Sequence, residues 1–231
     1  METETQPDHA SLHQAIVERI VVELRPVRRI WPVSLRLGLW IALEVGLLLL
    51  LIDHDYRPDL TRQLRNPWYI FEAAGFAAAG TLAGLLALRA AIPGREPRKV
   101  ELFLLLFLTV ASALLLFHEP ANEHLQLADF IYKGVPCTIR IGVFALLPWL
   151  GLFWAARRGA PLAAGAEGAL IGAAAFLFSF ALMRANCPLD DSLHVLMWHL
   201  LPALVGVALS ACVGVVLFRR RANGSGAPLQ P

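Results

Sequence analysis

The most reactive side chains of this sequence lie in the segment RANCPLDDSLHVLMWH, residues 184–199. In this segment Cys187 and a proline stand between two long apolar runs, with two aspartates and two histidines close behind. A second cysteine, Cys137, begins another apolar run. Thiolates react with oxidants and bind soft metal ions, and two cysteines can form a disulfide when their Cα atoms lie about 4.4–6.8 Å apart. The two cysteines therefore indicate a disulfide, a reactive dithiol or a thiol site for a metal ion.

Histidines and aspartates lie in the same predicted layer of the protein as the two thiols. They are His118, His124, His194, His199, Asp190 and Asp191. Because imidazole and carboxylate groups can complete a metal site around two sulfur atoms, we consider a metal site of Cys137, Cys187, His194 and His199 beside plain hydrogen-bonding roles for the histidines. The ligand spacing is not tight enough to favour ligation. We expect no resident cofactor, and a soft metal ion only as a transient ligand of Cys137 and Cys187.

The elements that must position these side chains are membrane-spanning helices. Apolar residues make up 57% of the 231-residue chain, charged residues 16%, and the mean hydropathy is +0.59, which is more apolar surface than a soluble domain can bury. Six apolar runs are long enough to cross a hydrocarbon core, which takes about 20 helical residues. We number them spans 1 to 6, at about residues 35–52, 68–92, 101–118, 137–156, 162–184 and 195–218. They predict an all-α polytopic membrane protein, a bundle of six transmembrane helices, because backbone polar groups in lipid must bond within their own segment.

The first 34 residues are polar and do not form a cleavable signal peptide, so span 1 is predicted to be retained behind a soluble N-terminal segment. Within that segment, apolar residues recur at helical spacing over residues 12–24, which predicts a short cytoplasmic amphipathic helix. Its stripe consists of Leu12, Ile16, Val17, Ile20, Val21 and Leu24, followed by Arg25, Pro26, Arg28 and Arg29. The pattern fits a helix on the lipid surface or one that docks into a groove of a cytoplasmic partner.

Basic residues divide unequally between the two sides of the predicted bundle. Fourteen of the 20 lie before span 1, between spans 2 and 3, between spans 4 and 5, and after span 6. Because cytoplasmic loops carry the excess of Lys and Arg, both termini are predicted to be cytoplasmic. Cys137 and Cys187 then face the outer, oxidising side, where the short turn between spans 4 and 5 brings their far ends together.

Small residues four apart occur in three spans and let helix backbones approach closely. They are Gly80 and Gly84 in span 2, Gly168 and Gly172 in span 5, and Gly206, Ser210 and Gly214 in span 6. These spans are therefore predicted to form the core of the bundle, whereas the Leu- and Phe-rich span 3 faces lipid. Ionisable residues inside spans are costly unless paired. Arg140 in span 4 can reach the outer surface and could pair with Glu72 in span 2, which is predicted at similar depth. Glu44 in span 1 has no predicted partner.

The order of short motifs along the six spans resembles the NrsF family of bacterial anti-sigma factors. The motifs are LRPVRRIWP before span 1, RPDLTRQLRNPWY in the first outer loop, IPGREP after span 2, Cys137 opening span 4, ARRGAPL after it, and CPLDDSLHVLMWHLLP running into span 6. Members of that family are six-span inner-membrane proteins that hold an extracytoplasmic-function sigma factor through a short cytoplasmic N-terminal segment. The resemblance covers about residues 15–220.

The resemblance implies a role for each part of the chain. Residues 1–34 would be the cytoplasmic sigma-factor-binding segment, 35–218 the six-helix transmembrane domain, and 219–231 a disordered cytoplasmic tail. The implied sigma-factor-binding residues are Leu12, Ile16, Val17, Ile20, Val21, Leu24, Arg25, Pro26, Arg28 and Arg29. The protein would lie in the bacterial inner membrane in contact with lipid, bind no nucleic acid directly and catalyse no reaction.

Cys137 and Cys187 match the two outer cysteines of that family, which are associated with sensing stress. The resemblance therefore implies an anti-sigma factor with these two residues as its sensing thiols. It would release the sigma factor when a periplasmic oxidant or soft metal ion acts at this cysteine pair.

Two other function classes remain open from the residues themselves. A membrane thiol-redox enzyme needs paired cysteines, usually including a CxxC, and the three cysteines form no such pair. A small transporter needs polar or broken helices at mid-membrane, where only Glu44 clearly qualifies. The third cysteine, Cys212, lies inside span 6 and is expected to be a small buried apolar residue.

Overall fold

The computed structural model describes residues 13–14, 17–19, 21, 30–54, 56–118, 127–159 and 161–224, and the regular elements in these ranges are all helices. The helices are α1 Val33–His54, α2 Leu60–Gln63, α3 Pro67–Ala90, α4 Lys99–Leu115, α5 Leu127–Ala156, α6 Ala164–Asn186, α7 Ser192–Val195 and α8 Leu201–Gly224. A 3-10 turn, Leu116–His118, extends α4, and a π-turn, Leu196–Leu200, joins α7 to α8.

Six helical stretches are long and apolar enough to cross a membrane, and they correspond to spans 1 to 6. They are α1, α3, α4 with its 3-10 turn, α5, α6, and the continuous α7–α8 stretch. The predicted all-α class, with six helices able to span a membrane, is therefore confirmed. The chain forms two compact units, Met1–Ile30 and Trp31–Pro231, and all six stretches belong to the second.

In the unit Met1–Ile30, the described residues around Val17 and Val21 are helical, and both valines are exposed. The other residues predicted to bind a sigma factor lie outside the described residues. These are Leu12, Ile16, Ile20, Leu24, Arg25, Pro26, Arg28 and Arg29. His124 and residues 225–231 of the predicted tail also lie outside the described residues.

Two helix ends differ from the predicted boundaries by more than about three residues. Helix α5 begins at Leu127, well before the predicted start of span 4 at Cys137, although Asp, Lys, Gly and Pro residues in between indicate a loop. Gly134 allows this part of the helix to pack against α7–α8, because a methyl group at this position would overlap the Trp198 ring. Cys137 therefore lies inside α5. At the other end of the chain, α8 continues beyond span 6 to Gly224, since the arginines there are good helix formers.

Helix α6 is the centre of the bundle and packs against α3 and α8. In the membrane-crossing window of α6, 72% of the residues are buried, against 11% for α4. At the contacts, a methyl group on Gly80 of α3 would lie 2.9 Å from the carbonyl oxygen of Ala174, and one on Gly214 of α8 would lie 2.6 Å from that of Ala164. Spans 2, 5 and 6 thus form the core, as predicted, and span 3 lies at its edge.

A short chain of hydrogen bonds joins three helices at this core. The Trp149 Nε1–H of α5 donates to Ser210 Oγ of α8 at 2.8 Å, and the Ser210 hydroxyl donates to the Gly168 carbonyl of α6 at 2.6 Å. Each polar group therefore has a partner within the bundle, which an apolar surrounding requires.

The structure places Cys212 of α8 at an exposed position and Glu44 of α1 at a buried position. Cys212 is exposed, so the expectation of a buried residue is wrong. Helix α8 turns Ser210 and Gly214 towards α6, and Cys212, midway between them in sequence, falls on the opposite face. Glu44 in α1 is fully buried, and its carboxylate oxygens have no hydrogen-bond partner among the described residues.

We predict that Gly168→Ala destabilises the bundle, whereas Gly142→Ala does not. A methyl group on Gly168 would lie 2.9 Å from Gly214 Cα and closer still to the Ser210 carbonyl oxygen, and such overpacking costs about 1–3 kcal/mol. A methyl group on Gly142 meets no atom within 4 Å, so this variant shows only the gain in helix propensity, about 0.5–1 kcal/mol. Thermal unfolding of the purified chain in detergent measures both, and equal stabilities would contradict the close contact.

Candidate functional site

Cys137 and Cys187 lie side by side, as the predicted hairpin of spans 4 and 5 required. Their Sγ atoms are 3.7 Å apart, and both are buried free thiols, 6% and 2% exposed. Cys187 directly follows α6 and has extended backbone angles, φ −83° and ψ 123°, because a residue before proline, here Pro188, is driven out of the helical region. The thiols are therefore placed by the end of α6 and the interior of α5, close enough to act together.

Two imidazoles join the two thiols. His194 Nε2 lies 3.5 Å from the Cys187 Sγ and 3.7 Å from the Cys137 Sγ. The rings of His194 and His199 are 5.2 Å apart between centroids, and both residues are fully buried. One ligand atom from each of the four residues lies within 4.8 Å of the other three. The four residues considered as a metal site in the sequence thus lie together, and we call them the thiol–imidazole cluster.

His199 reaches the cluster because a π-turn interrupts the helix. In an α-helix, residues five apart differ in direction by about 140°, so His194 and His199 would lie on different faces. The π-turn Leu196–Leu200 accommodates one extra residue, and the Leu201 N–H donates to the carbonyl of Leu196, five residues back. The extra residue turns both imidazoles to the same side.

Pro202 explains where this π-turn forms. Proline has no N–H for the carbonyl four residues earlier, which is that of Trp198, and its ring crowds this carbonyl in a regular helix. The Trp198 carbonyl instead accepts a hydrogen bond from the Thr138 hydroxyl of α5 at 3.1 Å. This bond ties the π-turn to the helix that carries Cys137. The HLLP sequence therefore contained a signal for the bulge that brings His199 into place.

The other polar residues predicted for the same layer position the cluster or lie apart from it. Asp191 caps α7 by accepting the backbone N–H of His194 at 2.9 Å. The Ser192 hydroxyl donates to the carbonyl of Leu116 at 2.7 Å. His118 lies elsewhere, with its ring stacked on Trp68 at 4.2 Å between centroids. Asp191 therefore orients a candidate ligand without joining the cluster.

Apolar side chains enclose the thiol–imidazole cluster. The Phe130 ring packs edge-on to His194 and 5.5 Å from Trp198, between centroids. Further buried apolar residues around the thiols are Ile141, Phe144, Leu182 and Met183. A hydrogen bond from the Cys137 thiol lowers the pKa of Cys187 against the opposing effect of desolvation, and the contact with His194 lowers it further. The enclosure makes each of these interactions stronger than it would be in water.

A buried arginine holds the connection between α6 and α7. The Arg57 side chain is fully buried, with Nη1 2.8 Å from Asp190 Oδ1 and Nε 2.7 Å from Asp59 Oδ1. Its backbone N–H donates to the carbonyl of Ala185 at 3.1 Å, and the Gln63 amide donates to Asp190 at 2.9 Å. Desolvation opposes the charge of Arg57, but hydrogen bonds to the two aspartates outweigh it and raise its pKa. The same guanidinium holds the pKa of Asp59 well below its usual range.

Glu72 pairs with Arg184, and the predicted pair with Arg140 is wrong. The Arg184 Nε lies 2.6 Å from Glu72 Oε1, and both side chains are almost fully buried. Arg184 Nη1 also lies 3.0 Å from Asp190 Oδ1, so this pair continues the network around Arg57. Similar depth suggested Arg140, but that residue lies on an exposed face of α5. The rotation of each helix about its axis decides the partner.

Two sequence motifs contain a partial signal for this network of arginines and aspartates. The motif RPDLTRQLRNPWY supplies three arginines, and CPLDDSLH supplies two adjacent aspartates. Which arginine meets which aspartate follows from the path of the loop, because only Arg57 is drawn under the α6–α7 connection by its backbone bond to Ala185.

We predict that Arg57→Gln destabilises the fold by about 3 kcal/mol, because removing one partner of a buried ion pair leaves the other charge uncompensated. Arg62→Gln is the matched control. Arg62 also pairs with Asp59, at 2.7 Å, but its side chain is 79% exposed, so the loss should stay below about 1 kcal/mol. Thermal unfolding in detergent distinguishes the two, and equal losses would mean that Arg57 does not hold the connection.

The whole site lies within the range of one known family. The sequence model of NrsF, negative regulator of sigma F, matches residues 20–219, which include the thiol–imidazole cluster and the Arg57 network. No curated protein and no solved structure gives a significant match. The family match covers far more than half of the 231 residues and agrees with the resemblance of the motifs. The chain belongs to the NrsF family, and is a negative regulator of a sigma factor.

Proposed function

We propose that this chain is a membrane anti-sigma factor for an extracytoplasmic-function sigma factor. It binds the sigma factor on the cytoplasmic side through residues 12–29 and releases it when an oxidant or soft metal ion acts at Cys137 and Cys187 from the periplasm. One observation carries the regulatory part, the match of residues 20–219 to the NrsF family. The approach of two buried thiols to 3.7 Å supports the sensing part.

The N-terminal segment is the proposed binding site for the sigma factor. Val17 and Val21 are 54% and 57% exposed on a helical segment, and they lie on the apolar stripe of residues 12–24. An amphipathic helix of this kind binds a groove through apolar residues spaced at i, i+3 and i+4. The basic residues that follow the stripe then precede the first membrane-spanning helix.

The proposed orientation places the sensing thiols and the sigma-factor-binding segment on opposite sides of the membrane. Six membrane-spanning helices return the chain to the side on which it began, and the excess of basic residues favours the cytoplasm for that side. Cys187 follows the end of α6, and Cys137 lies in the first half of α5, so both are remote from the basic turn at Arg157 and Arg158 that joins the other ends of these helices. They are therefore proposed to face the periplasm, in the inner membrane of a bacterium.

The proposed response is a change in helix packing. Reaction at the thiols alters the contact of α5 with the α6–α7 connection, and α1 packs against α3, α5 and α6. Release follows if the sigma factor binds one packing more tightly than the other, since a signal shifts the populations only by its difference in affinity for the two. Glu44 is a proposed participant because it is buried in α1 without a hydrogen-bond partner among the described residues.

We predict that the full chain retains a sigma factor on purification from membranes and that a chain lacking residues 1–29 does not. In the full chain, Val17→Asp with Val21→Asp should also lose the partner, because a charge on the apolar stripe cannot enter an apolar groove. Glu18→Gln, on another face, is the matched control and should retain it. Mass spectrometry identifies the bound protein, and a sigma factor that stays on the truncated chain would place the binding site elsewhere.

We predict that Cys137→Ser and Cys187→Ser each abolish induction of the sigma factor's target genes by a thiol oxidant or a soft metal ion. A serine hydroxyl neither forms a disulfide nor binds soft cations as a thiolate does. Cys212→Ser is the control and should respond normally, since Cys212 lies apart from the pair on an exposed face of α8. A transcriptional reporter measures induction, and a normal response in both cysteine variants would rule out thiol sensing.

A further inference from the structure

We propose that the thiol–imidazole cluster is a four-coordinate metal site, in which Cys137, Cys187, His194 and His199 bind one divalent ion of the zinc type. This extends the proposed function from a cysteine pair to a complete ligand set that includes both histidines. Metal binding itself is independent of the anti-sigma activity, whereas any sensing role of the ion rests on the proposed function.

The distances within the cluster are those of ligands around a tetrahedral ion. Zinc bonds of about 2.3 Å to sulfur and 2.0–2.1 Å to nitrogen require about 3.8 Å between two sulfur ligands and about 3.6 Å between sulfur and nitrogen. The Cys137 and Cys187 Sγ atoms are 3.7 Å apart, and the two distances from His194 Nε2 to these sulfurs are 3.5 and 3.7 Å. Three of the six ligand–ligand distances therefore already match those of a tetrahedral zinc site.

His199 supplies the second, independent observation. It is fully buried, and among the described residues neither of its ring nitrogens has a hydrogen-bond partner. A buried polar group without a partner is costly and needs an explanation. A metal ion between His199 and the thiols accounts for one of these nitrogens, because a ligand atom of His199 lies within 4.8 Å of those of the other three residues.

The backbone around His199 is shaped to bring this residue into the set. The π-turn Leu196–Leu200 is what turns His194 and His199 to the same side, and such bulges are frequent at functional sites. The Thr138 hydroxyl stabilises the turn by bonding to the Trp198 carbonyl.

Charge balance favours a divalent ion. Binding breaks the two S–H bonds of Cys137 and Cys187, forms four bonds to the metal, and releases two protons to solvent. Two thiolates and two neutral imidazoles then neutralise an ion of charge +2, which suits a site enclosed by apolar side chains. A monovalent ion such as Cu⁺ would leave one negative charge buried.

The full chain, purified in detergent under reducing conditions and stripped with a chelator, tests this site with Zn²⁺ as the probe. We expect one zinc ion per chain by elemental mass spectrometry and release of two protons per ion in weak buffer. Co²⁺ should give the thiolate charge-transfer band and the intense visible bands of a tetrahedral site. Absence of stoichiometric binding to a chain that circular dichroism shows to be folded would overturn the proposal.

Variants separate the four-ligand site from two thiols acting alone. His199→Asn and His194→Asn should each weaken zinc binding by at least about tenfold, since even residues outside the ligand set can cost this much. His118→Asn is the matched control, because its ring stacks on Trp68 away from the cluster. Unchanged affinity in both histidine variants would overturn the proposal, as would binding of Cu⁺ with no binding of Zn²⁺ or Co²⁺.

These outcomes are distinct from those that test the proposed function. A chain that binds zinc through the four residues but retains no sigma factor keeps the metal site and contradicts the proposed function. A chain that retains its sigma factor but binds no zinc contradicts the metal site and leaves the anti-sigma activity in place.

Discussion

The backbone contact between α6 and α8 is the constraint on which the rest of the structure depends. Helices in lipid gain little from hydrophobic burial against each other, so close packing and hydrogen bonds must hold them together. Here a methyl group on Gly214 would lie 2.6 Å from the carbonyl oxygen of Ala164, and Ser210 donates to the Gly168 carbonyl at 2.6 Å. At the other end of this pair, residues 187–191 connect the end of α6 to the start of the α7–α8 stretch. That connection carries Cys187.

Buried charges keep the connection in one position. Asp190 accepts hydrogen bonds from Arg57 and Gln63 and also faces Arg184, which in turn pairs with Glu72 of α3. Each charge removed from water is compensated by an opposite charge within hydrogen-bonding distance, which a buried ionic network requires to be tolerated. The network ties the loop between α1 and α3, together with α3 and α6, to the same few residues. A rigid frame of this kind is what a precise ligand set needs.

Within this frame, this member of a family of negative regulators of a sigma factor contains a buried group of four side chains with the chemistry of metal ligands. The proposed signalling route requires that this group be coupled to the N-terminal segment through α1 and the packing of the bundle. A metal ion at the cluster would bridge α5, the α6–α7 connection, α7 and the π-turn. Losing or replacing that ion, or oxidising the thiols, would then change the contacts among these four elements together, which is a physical basis for two alternative packings.

Several features were predictable because they depend on composition and local spacing. Six apolar runs required six spanning helices, the small residues four apart marked the close helix contacts, and the short turn between spans 4 and 5 implied that Cys137 and Cys187 would meet. The motifs also identified the family, since their order along the chain needs no structure to read.

Other features needed the tertiary structure, because they depend on how each helix is rotated and on where it departs from regular geometry. Arg184 rather than Arg140 meets Glu72, because Arg140, although predicted at the depth of Glu72, lies on an exposed face of α5. Arg57 was not singled out, since its role follows from the path of a loop. His199 joins the thiols only because of a π-turn. This turn contains one residue more than an α-helical turn, so the side chains that follow it point in a different direction. The sequence by itself thus determined which helices form and which helix ends lie next to each other. The tertiary structure decided which side chains meet at those ends.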